Sequence, residues 1–346
     1  MLIGEYFRWT GDLSLVEELK PNIERALEWI DRAARESGFL TYHQEAEKGF
    51  PNQGWKDSSN SIVHRSGEYA SSPIALSEVQ GYVYQAKMSL VPSFFELMGE
   101  AAFAAKLEEE AQQLQLRFEQ SFWMEDKQFY AIALDKDREQ VRSVTSNPGH
   151  LLMTGLPEAS RAKQIAARLT AEDMFGGYGI RTMSTDAAGY YPMSYHNGSV
   201  WPHDNGMILL GLSRMGYKEE AAAVLSGLLE ASRSFEYQRL PELFCGYDSE
   251  LGYPVPYPST CSPQAWAAAT SVVFYAGDVR LESECAGKGN RHRSVPAGSY
   301  GQADGGKYSY RFGPFVFKSY TQPARREYFF NVEVLDNTTG FEVIRS

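Results

Sequence analysis

The sequence predicts an all-α protein built of antiparallel helix pairs, an α-hairpin barrel or part of one. Two observations carry this. Segments of helical apolar spacing follow one another to about residue 277, and long loops between them alternate with short ones. Periodicity alone leaves a simple helical bundle open.

The opening residues Leu2, Ile3, Tyr6, Phe7 and Trp9 read as the middle of a helix. A portion N-terminal to them is therefore expected to be missing. The next helix spans about Leu13–Arg35, where Leu15, Val16, Leu19, Ile23, Leu27 and Ile30 form one stripe. Pro21 within it predicts a kink or the first turn of a second helix. After a polar loop, Tyr42–Gly67, two helices are predicted over Pro73–Met98 and Ala101–Phe122, parted near Gly99. In the second, Phe103, Leu107, Ala111, Leu114 and Phe118 supply the buried side. Gln128–Leu134 alternates like a strand. Leu156–Leu169, Asp204–Met215, Lys218–Ser232 and Pro263–Tyr275 complete the helices, with a loop over Asp173–Asn197.

Beyond Gly277 the character changes. Residues 278–346 hold 10 Lys and Arg against 8 Asp and Glu, whereas the whole chain of 346 residues carries a net charge of −11. The division expected is a helical domain over 1–277 and a Gly-rich tail over 278–346. In that tail Tyr308, Tyr310, Phe312, Phe315 and Phe317 alternate as short strands, and Val332–Ile344 forms a closing strand pair. The abrupt change is also what a reading-frame disruption across 278–330 would leave, which resequencing that segment checks.

Several function classes are disfavoured. An acidic surface repels nucleic acid and anionic lipid, and no apolar run approaches a membrane span. Met1 is followed by no basic stretch and no long apolar core, so a signal peptide is not supported. Three cysteines, Cys245, Cys261 and Cys285, suit a reducing, cytoplasmic compartment. The motifs of zinc proteases, serine hydrolases, dinucleotide sites and P-loops are missing, so no metal and no cofactor is expected.

The loops are where chemistry gathers. Asn52–Ser58, Tyr195–Asn205, Arg239–Tyr247 and Tyr257–Trp266 each combine aromatic rings with amides or carboxylates. A sugar needs that combination: a flat face for its C–H groups and hydrogen bonds for its hydroxyls. Turn chemistry accounts for any one cluster alone. Four such loops at helix-pair junctions favour a carbohydrate cleft. Trp55, Trp201 and Trp266 are candidate stacking platforms, with core packing as the alternative, above all for Trp266. Asn52, Gln53, Lys56, His203, Asn205 and Gln264 are candidate hydroxyl partners.

The strings Asn52–Ser58, Ser143–His150, Gly177–Thr182, Asn197–Asn205 and Leu240–Tyr247 resemble the amylo-α-1,6-glucosidase, or glycogen debranching enzyme-like, family of the six-hairpin glycosidases. The likeness covers roughly residues 1–275 in the same order. It implies an (α/α)6 barrel and cofactor-free, inverting hydrolysis of an α-glucan or α-linked oligosaccharide. By the same resemblance Asp57 is the general acid and Glu242 the general base. Inversion requires a protonated carboxyl at the glycosidic oxygen and an ionised one activating water, about 6.5–9.5 Å apart. Asp57 is then expected to be buried against Trp55 or another carboxylate, to keep its proton. Read alone, Asp57 with Ser58 reads first as a helix N-cap and Glu242 as an ion-pair partner of Arg239, and the loop carboxylates Glu68, Glu78, Asp186 and Asp204 leave the place of the acid open. The family's usual N-terminal helices and β-domain have no counterpart here, which implies a barrel incomplete at that end. A non-catalytic glycan-binding or degenerate fragment is the alternative. Epimerases and phosphorylases of similar fold come third, since paired histidines and a phosphate pocket are not clearly placed. Oligomeric state is open.

Overall fold

The computed structural model describes residues 1–44, 48–92 and 98–276, and three strands within 307–334. The chain divides into two units, Met1–Glu282 and Ser283–Ser346. In the second unit β6 (Lys307–Phe312), β7 (Phe315–Gln322) and β8 (Glu327–Val334) form an antiparallel meander. The part of the expected Val332–Ile344 pair after residue 334 lies outside the described residues.

The first unit contains nine α-helices among the described residues: α1 (Leu2–Thr10), α2 (Ser14–Ala33), α3 (Ser77–Pro92), α4 (Ala101–Phe122), α5 (Leu151–Thr154), α6 (Ala159–Leu169), α7 (Pro202–Met215), α8 (Lys218–Ser232) and α9 (Ala265–Ala276). They sort into two layers. Helices α1, α3, α5, α7 and α9 contact one another in that order, while α4 packs on α3 and α8 on α7. A 3-10 turn, Asn147–His150, leads into α5 and receives α6. The inner helix α7 is buried around most of its circumference, from Pro202 to Leu212. The outer helices α4, α6 and α8 bury one stripe each, as in Ala162, Ile165, Ala166 and Leu169 of α6.

Short turns lead from inner to outer helices, such as Gly216-Tyr217, where Gly216 caps α7 at φ 81°. Long segments lead back from outer to inner helices, over residues 34–76, 123–150, 170–201 and 233–264. They therefore collect at the N-terminal ends of the inner helices. Close layer packing needs small residues: a Cβ at Gly211 of α7 would sit 2.6 Å from the Met153 amide nitrogen of α5.

Some boundaries differ from expectation. Helix α2 continues through Pro21, because that residue lies on the exposed side while Val16, Ile23 and Leu27 keep the packed stripe intact. Where one strand is expected over Gln128–Leu134, two lie: β3 (Phe129–Tyr130) pairs with β2 (Trp123–Met124), and β4 (Ala133–Leu134) sits between β1 (Ala75–Leu76) and β5 (Gln140–Val141). Helix α7 begins two residues early, at Pro202, whose missing N–H costs nothing in a first turn.

Candidate active site

Isolated backbone bridges sew the long loops together. Arg181 pairs with Val200, Val200 with Phe244, and Phe244 with Pro256. The buried Arg181 side chain ties the strip down, donating from Nε to the Gly246 carbonyl at 2.8 Å and from Nη1 to that of Glu172 at 2.9 Å. Glu242 lies two residues before Phe244, its amide donating to the Cys261 carbonyl at 3.0 Å. Its half-buried carboxylate accepts three hydrogen bonds. Oε1 takes Tyr195 Oη at 2.9 Å and Gln264 Nε2 at 3.0 Å, and Oε2 takes the Cys261 amide at 3.2 Å. Three donors suit an ionised carboxylate, the form that activates water. No ion pair joins Glu242 to Arg239 among the described residues.

Asp57 faces solvent, and the expected burial against Trp55 is not found. The cause is local: Lys56 turns inward, Ser61 Oγ donates to the Lys56 and Ser58 carbonyls at 2.6 and 2.8 Å, and Asp57 is left on the outer side of the turn. No helix starts here, so the N-cap alternative fails as well. Asp57 nevertheless adjoins Ser58, whose Oγ meets His196 Nδ1 at 2.7 Å, and its charge reaches Tyr195. Burial raises the Tyr195 phenol above its ordinary value, and the hydrogen bond and charge of Glu242, then the charge of Asp57, raise it further. That phenol stays protonated and donates.

Behind the two carboxylates lies an aromatic wall. Trp55 meets His203 edge-on at 5.0 Å, Trp201 at 5.7 Å and His196 at 5.7 Å. His203 stacks on Trp266 at 4.0 Å and 6°. Trp266 remains 41% exposed, so part of its ring stays open to solvent. Deeper in, His150 bridges Asp204 Oδ1 at 2.7 Å and Tyr82 Oη at 2.6 Å. Buried Lys56 donates to the Thr182 carbonyl at 2.7 Å. Its ammonium is pushed down to about 8 by burial, against the attraction of Asp204 and Glu78. Burial raises the Glu78 carboxyl, whereas for Asp204 the His150 hydrogen bond and charge, with Lys56, outweigh burial and hold it low.

The two wall histidines give a pH prediction. Burial, with Lys56 and His203 charge, lowers His196 to about 3, and burial lowers His203 to about 4 against the pull of Asp204. Their folded values lie below the unfolded value of about 6.5, so the unfolded chain binds more protons between those limits. Stability is expected to fall as pH drops from about 6.5 towards 4, by on the order of 3 kcal/mol for His203. Thermal unfolding followed over that range should show the drop, and His203→Gln should lessen it.

The structure thus brings together Asp57, Glu242, Trp55, His203, Gln264 and Trp266. It turns four other expected sugar contacts inward. Asn52 accepts from Tyr42 Oη at 2.8 Å and donates to the Ser58 carbonyl at 2.7 Å. Asn205 clasps the Ile180 amide at 2.7 Å and the Ile180 and Trp201 carbonyls at 3.0 Å each. Trp201 is 1% exposed and spends its indole N–H on the Tyr195 carbonyl. Lys56 is equally enclosed. These four hold loops, because each is saturated by backbone groups or sealed from solvent. Gln53 is exposed, donating to the His43 carbonyl at 2.9 Å. Tyr195 and His196, inside the second loop cluster, are the site residues that sequence reasoning passes over. Their signal is position: both immediately precede the glycine turn that opens α7.

Two layers of helices with loops collected over the inner N-termini define a helical barrel of the (α/α)6 fold. Residues 3–253 match the family model described as Mannosylglycerate hydrolase MGH1-like glycoside hydrolase domain, and the chain belongs to that family. Among solved structures, a GH78 family rhamnosidase of Bacillus sp. GL1 superposes with a TM-score of 0.55 at 13% identity, over 79% of this chain and 25% of its own. A sialidase gives 0.54 at 14% identity, over 68% and 22%. A GH63 mannosylglycerate hydrolase from Thermus thermophilus, solved with glucose, gives 0.47 at 18% identity, over 58% and 45%. The chain therefore spans less than half the length of each of these structures. No match was found among curated proteins. The family that matches is the MGH1-like one, and the match does not extend to the debranching-enzyme family that the sequence resembles. Among the described residues no helix is long and apolar enough to cross a membrane.

Proposed function

We propose that residues 1–277 form the catalytic domain of an inverting glycosidase acting on an α-glucan or short α-linked oligosaccharide, of the debranching α-1,6-glucosidase type. Glu242 serves as general base and Asp57 as general acid. The observation that carries this reading is the half-open Glu242 carboxylate, held by three donors, beside a tyrosine that also senses Asp57. Glu242 takes a proton from water as that water's oxygen bonds to the anomeric carbon. Asp57 gives its proton to the departing oxygen. The exposed part of Trp266 takes the C–H face of a sugar ring, with His203 fixing the ring from behind. Gln264 and Gln53 lie within the same loops as hydroxyl partners. The chemistry calls for no metal or cofactor, and a cytoplasmic setting fits the sparse cysteines.

The test is sugar release from panose, isomaltose, maltose, limit dextrin and mannosylglycerate, with the anomer first formed identified by proton NMR. Release of the inverted anomer from an α-1,6 substrate supports the full reading. Release from mannosylglycerate alone moves the substrate to the one that the family description names. Trp266→Ala is expected to raise KM about tenfold, roughly 1.4 kcal/mol of binding, with little change in kcat.

A second reading, glycan binding without turnover, draws on the exposure of Asp57, which no side chain among the described residues holds in place. Calorimetric binding of the same oligosaccharides, with no release, would select it.

A further inference from the structure

One dipeptide reaches both carboxylate-bearing loops. Tyr195 Oη donates to Glu242 Oε1 at 2.9 Å. The next residue, His196, meets Ser58 Oγ through Nδ1 at 2.7 Å, and Ser58 directly follows Asp57. The dipeptide is itself held firmly. The Tyr195 carbonyl accepts the Trp201 indole N–H and Ser199 Oγ, each at 2.7 Å. Its ring lies edge-on to Trp201 at 4.8 Å and tilted against Tyr257 at 5.7 Å. The buried His196 ring stacks on Trp201 at 5.1 Å and stands edge-on to Trp55 at 5.7 Å.

We propose that Tyr195 and His196 are positioning residues that together set the separation and aim of the two carboxylates, and that Glu242 Oε2 is the oxygen that takes the proton from water. This rests on the reading of Glu242 as base and Asp57 as acid. Inversion must fit one water between base and anomeric carbon, and a misplacement of about 1 Å costs on the order of 100-fold in rate. A rigid link from one loop to the other removes that freedom. The choice of oxygen follows from the donors. Oε1 is occupied by Tyr195 and Gln264, whereas Oε2 has one amide donor, from Cys261, and a remaining lone pair. The groups facing Glu242 are thus Tyr195, Gln264 and the Cys261 amide, with Asp57 next in reach of Tyr195. None is a cation, and Tyr195 and Gln264 are the side chains that donate to the base.

Tyr195→Phe keeps the ring and removes only the donor. With the best substrate, kcat is expected to fall about 10- to 100-fold, KM to stay within about threefold, and the acidic limb of the kcat/KM profile to move to higher pH. Ser58→Ala cuts the other arm while leaving the His196 ring stacked on Trp201. Its loss should be larger on an ordinary glycoside than on a glycosyl fluoride, whose leaving group needs no proton. Circular dichroism and thermal unfolding confirm that both variants fold, and the two arms are read separately. A Tyr195→Phe enzyme with unchanged kcat and pH profile, beside an inactive Glu242→Gln, would overturn the positioning role alone. Hydrolysis by Glu242→Gln at the wild-type rate, or none by the wild type, would overturn the base assignment and this proposal with it.

Discussion

Glu242→Gln is expected to lower kcat on the order of 1,000-fold or more while leaving the fold in place. The amide is nearly the same size and can still accept from Tyr195, but it cannot take a proton from water. Its NH2 group must also oppose Gln264 Nε2 or the Cys261 amide, both of which donate to the native carboxylate. A stability loss of about 1 kcal/mol follows from one misdirected hydrogen bond. Binding should persist, because the Trp266 and His203 faces are untouched. The measurement is initial sugar release under saturating substrate, with calorimetric binding of the same oligosaccharide. Loss of turnover with affinity retained identifies the base. Loss of both points instead to collapse of the loop sewn through Phe244.

Asp57→Asn should produce the second large effect, about 100- to 10,000-fold in kcat on natural glycosides. Asp57 is exposed and forms no hydrogen bond or ion pair with the described residues, so the substitution should leave thermal stability unchanged. That separates a chemical role from a structural one more cleanly than at Glu242. A glycosyl fluoride, which departs without protonation, should be hydrolysed by the variant nearly as fast as by the wild type. Equal loss on both substrates would remove Asp57 as the acid.

Much of the fold was legible because helical periodicity is a property of each segment alone. The alternation of loop lengths then distinguishes the layers: the short turns at Gly11 and Gly216 lead outward, and the aromatic-rich loops lead inward. What failed was orientation. Asn52, Lys56 and Trp201 lie in the right loops and Asn205 in the first turn of α7, yet composition does not say which way such a residue turns. Here the backbone claims Asn52 and Asn205, because irregular segments have no ladder to satisfy their carbonyls and amides. Asp57 reversed for the same reason: once Lys56 is drawn inward to the Thr182 carbonyl, its neighbour is turned out. The Tyr82–His150–Asp204 chain joins residues up to 122 positions apart, and nothing local in the sequence signals it. The resemblance located the two carboxylates by their strings, not by any pattern of spacing.

The strip Arg181–Val200–Phe244–Pro256 has an evolutionary consequence. It fixes the bases of the loops over 170–201 and 233–264, while tips of the latter such as Tyr237, Leu251 and Tyr253 project into solvent, 81%, 52% and 58% exposed. Mutations at the tips can therefore accumulate without transmitting strain to Glu242. A scaffold insulated in this way can vary what its margins recognise by drift and keep the surroundings of Glu242 unchanged.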